Sequence, residues 1–297
     1  MTIAKRRVSL WLASLALLLV FGGAAQAQAW LPEQGHVMFS TAFSDNLNKK
    51  HYLPNGDEVD VGHTRTRSVS LSAMYAPTDR WMIAVGVPYV EARYRGSRPH
   101  PVDIDDGDYH GSITDLHLVL HFQALTEPLA LAPYIGVVVP LEDYETLGHA
   151  ARGRGLQEQW LGFYVGKSLD PWIRGTYMQA RYNYAFVERV AGIAHDRSNA
   201  DLEVGWFITP QWSVRALFSA VNTHGGIPVP VPVTHPLFQF HDQLAAEKLR
   251  NVGAGVSWSM SDSTDFYLVY LQSVRGESAH KLDTGLTLGF NYMIGRH

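Results

Sequence analysis

Charged and histidine side chains occupy every second position in several otherwise apolar segments of the chain. In the segment 200–208, Asp201 and Glu203 alternate with large apolar residues, and Arg181 and Arg215 have corresponding positions in the neighbouring segments. Such groups could select a solute by charge and hydrogen bonding in a narrow passage. They could equally form internal ion pairs that fill a narrow wall of strands. The candidate selectivity residues are Asp115, His117, His121, Glu158, Arg181, Asp201, Glu203 and Arg215, and the same parity adds Gln179, Asn183, Asn251 and Asn291 to the predicted lining.

A serine and several histidines offer a different chemistry. His195 and Ser198 fall in a predicted loop, 188–199, and a serine beside a histidine is an activated nucleophile when the two are hydrogen-bonded. The Gly-x-Ser-x-Gly turn of many hydrolases does not surround Ser198. A zinc site built on the pair His235 and His241, or on His117 and His121, would lack a third ligand at suitable spacing. We therefore predict no catalytic residue, no metal site and no cofactor.

The longest predicted loop, 222–250, is unusually apolar. Its segment 227–233 must be extended, because each proline fixes φ and removes a hydrogen-bond donor. Such a stiff loop could be a lid over a hydrophobic ligand, a constriction folded inward, or a cap that packs on neighbouring loops. The candidate gate residues are Pro228, Pro230, Pro232, Phe238, Phe240 and His241.

The candidate lining and gate residues must be positioned by strands that have one apolar face and one polar face. Large apolar residues on one face and charged residues on the other are typical of a barrel with hydrocarbon outside and a polar interior. Five short turns alternate with six longer loops, which connects twelve strands and places both termini on the periplasmic side. The predicted strands are 35–44, 59–76, 80–91, 112–124, 129–140, 156–167, 172–187, 200–208, 212–221, 251–260, 265–274 and 284–294. The predicted loops are 45–58, 92–111, 141–155, 188–199, 222–250 and 275–283.

Tryptophan placement supports this interpretation independently. Five of the eight tryptophans lie within a few residues of a predicted periplasmic turn, and Trp160 is an exception. Indole rings favour the membrane–water interface, so the five predict an aromatic girdle. They are Trp81, Trp172, Trp206, Trp212 and Trp258.

The N-terminus has the pattern of a secretory signal peptide. Lys5, Arg6 and Arg7 precede an apolar run, and small residues near Ala29 offer cleavage sites. We therefore predict a signal peptide over 1–29 and a single barrel domain over 30–297. The net charge is −4, which argues against a nucleic-acid partner, and the absence of cysteine excludes disulfides.

Several segments resemble one known family. The resemblance is in the residue pattern of the strands and in short loop sequences. It covers most of the predicted mature chain and includes no catalytic motif. Its clearest segments are 225–228, 236–244, 274–276 and 280–286, together with the turn 75–81. They resemble the outer-membrane transporters grouped with the MetA pathway of phenol degradation. The resemblance implies a barrel that passes small, often aromatic or apolar, compounds, and it assigns no binding residue.

The sequence thus predicts an all-β protein, a 12-stranded antiparallel outer-membrane barrel, acting as a channel for passive uptake of a small solute. The alternatives are a structural or adhesion barrel, or an outer-membrane lipid-modifying enzyme. The expected partners are outer-membrane lipid, lipopolysaccharide, the barrel-assembly machinery and the solute. His63, Arg65 and Arg67 are candidates for contact with lipopolysaccharide phosphates, since guanidinium groups bind phosphate bidentately.

Overall fold

The computed structural model describes residues 29–97, 102–170, 172–232 and 234–295. Within these ranges, nearly every strand pairs antiparallel with its neighbours in the chain, and the last pairs with the first, which closes a 12-stranded barrel. The predicted fold class is therefore confirmed. The strands are β1 (Val37–Tyr52), β2 (Glu58–Val59), β3 (His63–Thr78), β4 (Trp81–Arg95), β5 (His110–Ile113), β6 (Asp115–Phe122), β7 (Ala130–Pro140), β8 (Glu158–Ser168), β9 (Thr176–Val187), β10 (His195–Phe207), β11 (Trp212–Gly225), β12 (Lys248–Ser261), β13 (Thr264–Glu277) and β14 (Ala279–Ile294).

Two of these strands, β2 and β5, do not count as separate strands of the barrel wall. β2 pairs only with the end of β1, and β5 and β6 are two segments that both pair with β4. Three short helical turns lie in the connections: the 3-10 turns Asp103–Asp105 and Phe238–Phe240, and α1 (His241–Leu244). No helix in the described part of the chain has the length and apolarity to span a membrane.

Side-chain alternation sorts the residues of each strand between the two faces of the barrel. In β10, Leu202 is 39% exposed on the outer surface, whereas its neighbour Glu203 is only 1% exposed in the interior. The exposed large apolar residues continue around the outer wall on every second position of the strands. This arrangement suits a wall that faces lipid outside, because a period-2 pattern places one set of side chains on each face.

The two ends of the barrel differ as predicted, but three predicted loops are wrong in part. In the predicted loop 45–58, β1 continues to Tyr52, so the first half is strand. The predicted loop 275–283 is a tight hairpin about Ser278 (φ 47°), because β13 extends to Glu277 and β14 begins at Ala279. Similarly, β10 begins at His195, so the predicted loop 188–199 loses its second half. Strands of up to 16 residues exceed the roughly 9–11 needed to cross a bilayer. Beyond the bilayer both faces meet water, so alternation fades and the sequence pattern resembles a loop.

An aromatic girdle surrounds the periplasmic end. Trp212 and Trp258 stack with ring centroids 5.9 Å apart, and Trp258, Phe266 and Phe290 continue the row across β12, β13 and β14. Trp81, Trp172 and Trp206 are also exposed near periplasmic turns. Trp160 instead lies inside the barrel, which explains why it departs from the girdle.

A short N-terminal segment, 29–34, enters the periplasmic end of the barrel. The side chain of Gln123 donates to the carbonyl of Ala29 (3.0 Å) and accepts from the amide of Leu31 (2.8 Å). Gly166 allows this close approach, since a Cβ there would lie 2.6 Å from Ala29 and from the ring of Trp30. The predicted signal peptide, apart from Ala29, lies outside the described residues.

Candidate functional site

Four of the predicted lining residues form two ion pairs inside the barrel. Arg181 of β9 binds Asp201 of β10, with Nη2 2.5 Å and Nε 2.6 Å from Oδ2. Arg215 of β11 lies 3.6 Å from Glu203 of β10, measured from Nη1 to Oε2. We call Arg181, Asp201, Glu203 and Arg215 the lumen belt. Each pair joins side chains on adjacent strands, as their shared parity predicts.

Neighbouring interior side chains complete the polar contacts of the lumen belt. Glu203 Oε1 accepts hydrogen bonds from the Tyr177 hydroxyl (2.6 Å) and from Gln179 Nε2 (3.2 Å). The guanidinium of Arg215 lies over the Tyr267 ring, 5.5 Å from its centroid. Sequence reasoning missed both tyrosines as partners, although each has interior parity in its strand.

Above the lumen belt, the remaining predicted acids have partners that the sequence analysis did not name. Glu158 binds Arg197 and also accepts a hydrogen bond from Trp160 Nε1 (2.8 Å). The Asp115 carboxylate accepts from the hydroxyl of Tyr144 (2.8 Å), which reaches down from the loop after β7. Arg197 could have been found by parity with Asp201, but it fell in a predicted loop.

The two predicted histidines of β6 occupy different levels of the interior. The His117 ring packs edge-on against Trp160, with centroids 5.4 Å apart, and His121 packs against Tyr134 (5.2 Å). Four residues of strand separate the two histidines by about 13 Å, so they do not form the zinc pair considered from the sequence.

The interior is filled around Glu203 and Arg215, whereas the other pair of the lumen belt, Arg181 and Asp201, has side chains that are 29% and 30% exposed. Glu203 is 1% exposed and Arg215 is 7% exposed, although both face the lumen. In a wide water-filled pore these side chains would be accessible. Below them, Met74, Met82, Val119 and Tyr134 form an apolar cluster against which Leu31 of the N-terminal segment packs.

A cavity of about 450 Å³ lies at the extracellular mouth, above this filled section. The segments 226–232 and 234–247, which together we call the cover loop, lie between β11 and β12 and supply part of its wall, including Val229, Val231 and Gln243. Among the predicted gate residues, Pro230, Phe238 and His241 line the cavity. Phe240 instead packs on the barrel wall, and Pro228 and Pro232 are exposed and are not among the residues that line the cavity.

The cover loop is anchored to the inner wall by apolar packing. Leu244 is fully buried, and with Ile227 and Val229 it packs against Ala185 and Val187 of β9. Hydrogen bonds fix the loop further: Ala246 N donates to Ile227 O (2.7 Å), and Val229 N donates to Ser278 Oγ (3.1 Å).

Four histidines and an aspartate from separate segments meet in the wall of this cavity. They are His51, His149, His241, Asp242 and His280, which we call the mouth cluster. His280 Nε2 lies 3.3 Å from Asp242 Oδ1, and His241 Nε2 lies 3.6 Å from the same oxygen. Burial by itself would raise the pKa of Asp242, but the hydrogen bond from His280 and the nearby His241 and His149 outweigh it and lower that pKa. No sequence motif predicts this group, and His235, which was considered as the partner of His241, is not in it.

The serine considered as a nucleophile lies on the outer surface, not in a loop. Ser198 is in β10, and its Oγ is 2.7 Å from Nε2 of His224 and 3.1 Å from the Tyr182 hydroxyl. His195, the histidine considered with it from the sequence, is buried on the opposite face. Ser198 and His195 therefore do not form a pair, because an odd separation in a strand puts two side chains on opposite faces.

Comparison with known proteins supports the barrel fold. The chain is similar to the crystal structure of an outer membrane channel from Pseudomonas putida F1, with a TM-score of 0.72 and 12% identity, covering 91% of this chain and 99% of the other. The fold is that of an outer-membrane β-barrel. The translocator domain of the autotransporter NalP from Neisseria meningitidis matches with a TM-score of 0.51, at 10% identity and 90% and 91% coverage.

The beta domain of a Bordetella autotransporter, BrkA, is also similar, with a TM-score of 0.50 and 11% identity over 88% of this chain and all of the other. No protein-family model and no curated protein matches the sequence. With its apolar outer wall and aromatic girdle, the barrel resides in the outer membrane.

Proposed function

We propose that the protein is a channel for passive uptake of a small apolar or aromatic solute across the outer membrane. The observation that carries the proposal is the cavity of about 450 Å³ at the extracellular mouth. Pockets of roughly 300–1,000 Å³ with mostly apolar walls and a few polar groups are typical small-molecule sites. Val61, Val231 and Phe238 supply apolar surface here, while the mouth cluster supplies polar groups.

In this proposal the cavity and the section filled around Glu203 and Arg215 have different roles. The cavity takes the solute from outside, and the solute then passes the lumen belt only when interior side chains or the cover loop move. A narrow interior with paired charges excludes ions and large polar solutes more strongly than a wide porin does. The resemblance to the transporters of phenol degradation and the channel from Pseudomonas putida both support this proposal.

A conductance measurement in asymmetric bilayers with lipopolysaccharide in the outer leaflet tests the proposal. We expect a small wild-type conductance that benzyl alcohol, an uncharged aromatic probe, lowers when added on the lipopolysaccharide side. Phe238→Ala/Val231→Ser should weaken this block about tenfold, because it removes apolar contact from the cavity wall.

Pro232→Ser, in the same loop but exposed and outside the cavity lining, is the matched control and should leave the block unchanged. If the wild-type protein and a variant with 228–232 replaced by glycine and serine both fail to conduct, the channel proposal is wrong. Equal block in the cavity variant and in wild type would remove the cavity from the proposal.

One observation favours a second candidate function, a lipid-modifying enzyme. Ser198 and His224 are hydrogen-bonded on the outer surface near the extracellular end of β10, where the ester of an outer-leaflet lipid could reach the serine. Release of lysophospholipid by wild-type protein, lost in Ser198→Ala and retained in Ser213→Ala of the neighbouring strand, would support an enzyme. No release from mixed phospholipid vesicles would exclude this activity.

Lipopolysaccharide and the barrel-assembly machinery remain proposed partners. Arg65 and Arg67 lie on the outer surface of β3, where both bind Asp45 of β1. The guanidiniums of Arg67 and Arg93 lie over the ring of Tyr109. This basic group is suited to lipopolysaccharide phosphates, and His63 begins the same strand.

A further inference from the structure

The mouth cluster brings ligating atoms together from four parts of the chain. His51 ends β1, His149 is in the loop between β7 and β8, His241 and Asp242 begin α1, and His280 begins β14. Two overlapping sets of three residues have ligating atoms close enough together to hold a metal ion. One set is His51, His149 and His280, and the other is His149, His241 and Asp242. Within each set the ligating atoms all lie within 4.8 Å of one another.

Hydrogen bonds outside the cluster orient two of these ligands. His241 Nδ1 lies 2.6 Å from the carbonyl of Phe238, so donation there leaves the Nε2 lone pair directed toward Asp242. The backbone of His149 is held by Asp105, whose carboxylate accepts from the amides of His149 (3.2 Å) and Ala150 (2.9 Å). A contact like that of His241, from the second ring nitrogen to a carbonyl, is typical of metal-binding histidines and fixes the ring and its tautomer.

The composition of the cluster favours a particular class of ion. Imidazole ligands suit zinc, copper and nickel, and a single carboxylate offsets part of the ion's charge. With Zn–N bonds of 2.0–2.1 Å, ligating atoms in a tetrahedral site lie roughly 3.4 Å apart. His280 and Asp242 already have this separation at 3.3 Å. The other ligating atoms lie within 4.8 Å of one another in each set and must approach by up to about 1.4 Å when an ion binds.

We infer that the mouth cluster binds one divalent transition-metal ion of the zinc, nickel or copper class, with His149 as the ligand common to both sets. Because His149 is shared, the two sets describe one ion rather than two. The ion would join the cover loop, through His241 and Asp242, to the barrel wall, through His51 and His280. This inference does not depend on which solute enters the cavity.

Metal binding by the refolded full-length barrel, purified without a polyhistidine tag and stripped with a chelator, tests the inference. We expect equilibrium dialysis against Zn²⁺ to give a single ion per chain with micromolar or tighter affinity. Co²⁺ in place of Zn²⁺ should give the visible absorption of a tetrahedral site. His149→Ala should weaken Zn²⁺ binding at least tenfold, because even supporting residues cost 10–100-fold when removed.

His63→Ala, an exposed histidine outside the cluster, should bind Zn²⁺ like wild type. Heat-modifiable migration in gels checks that each variant is folded. If His149→Ala fails to fold, Asp242→Asn and His280→Gln take its place, and each should weaken binding while the barrel stays folded. Absence of Zn²⁺, Ni²⁺ and Cu²⁺ binding by wild type would overturn the inference. So would Zn²⁺ affinity that survives in His149→Ala/His280→Gln.

Discussion

The lumen belt and the mouth cluster use polar side chains in opposite ways. In the lumen belt each charge has its partner on the adjacent strand, so the strand register alone brings Arg181 to Asp201 and Arg215 toward Glu203. In the mouth cluster the residues come from strand ends and loops distant in the chain, and folding of the cover loop must bring them together. The first set is therefore part of the wall, and the second can change without dismantling the barrel.

The largest expected effect follows from breaking an ion pair in the lumen belt. Arg215→Met leaves the Glu203 carboxylate, 1% exposed, without its cationic partner. Removing one member of a buried pair costs about 3–5 kcal/mol, since an uncompensated charge stays buried. We expect this loss in the free energy of unfolding of the barrel, measured by urea titration in detergent or lipid.

The double variant Glu203→Gln/Arg215→Met is the control for this prediction. It removes both charges and should recover most of the lost stability, because no unpaired charge remains. If the single and double variants were equally stable, water would be solvating Glu203 and the interior would not be filled at this level.

The second effect concerns the anchor of the cover loop. Leu244→Ala opens space where a fully buried side chain packs on β9, and such a truncation costs roughly 3 kcal/mol in a packed core. We expect this cost to appear as detachment of the cover loop, with higher conductance and faster proteolysis within 226–247. The unfolding midpoint of the barrel should hardly move. A matching loss of barrel stability would show that the mouth and the wall are one cooperative unit.

The interior residues of the barrel wall could be predicted from the sequence, whereas the mouth cluster could not, and the reason is physical. A strand of period 2 assigns every residue a face, so Asp201, Glu203 and Arg215 could be placed inside before any partner was known. Loop residues have no such rule, and the backbone of His149 is held by contacts from other parts of the chain, with Asp105 accepting from its amide and Thr64 donating to its carbonyl. The strand ends above the membrane, such as the first residues of β10 from His195, were also predicted as loops, because polar residues occupy both faces there.

The third prediction tests how one loop positions another in the mouth cluster. Asp105→Asn replaces a carboxylate that accepts two backbone hydrogen bonds with an amide that has one acceptor oxygen. We expect Zn²⁺ affinity to fall about tenfold, the lower end for loss of a supporting contact. Asp103→Asn, exposed on the same 3-10 turn, should leave the affinity unchanged. Equal affinity in both variants would mean that His149 is positioned by other contacts.

The smallest effect should come from an ion pair on the outer surface. Arg65 binds Asp45 through two contacts of 2.6 Å, a better geometry than the 3.6 Å pair of Arg215 and Glu203. However, the side chains are 37% and 17% exposed, and exposed pairs contribute only about 0–1 kcal/mol. We therefore expect Arg65→Ala to lower the free energy of unfolding by less than about 1 kcal/mol, with Lys49→Ala of β1 as the control. A loss as large as that of Arg215→Met would show that distance, rather than burial of the remaining charge, decides what these pairs contribute.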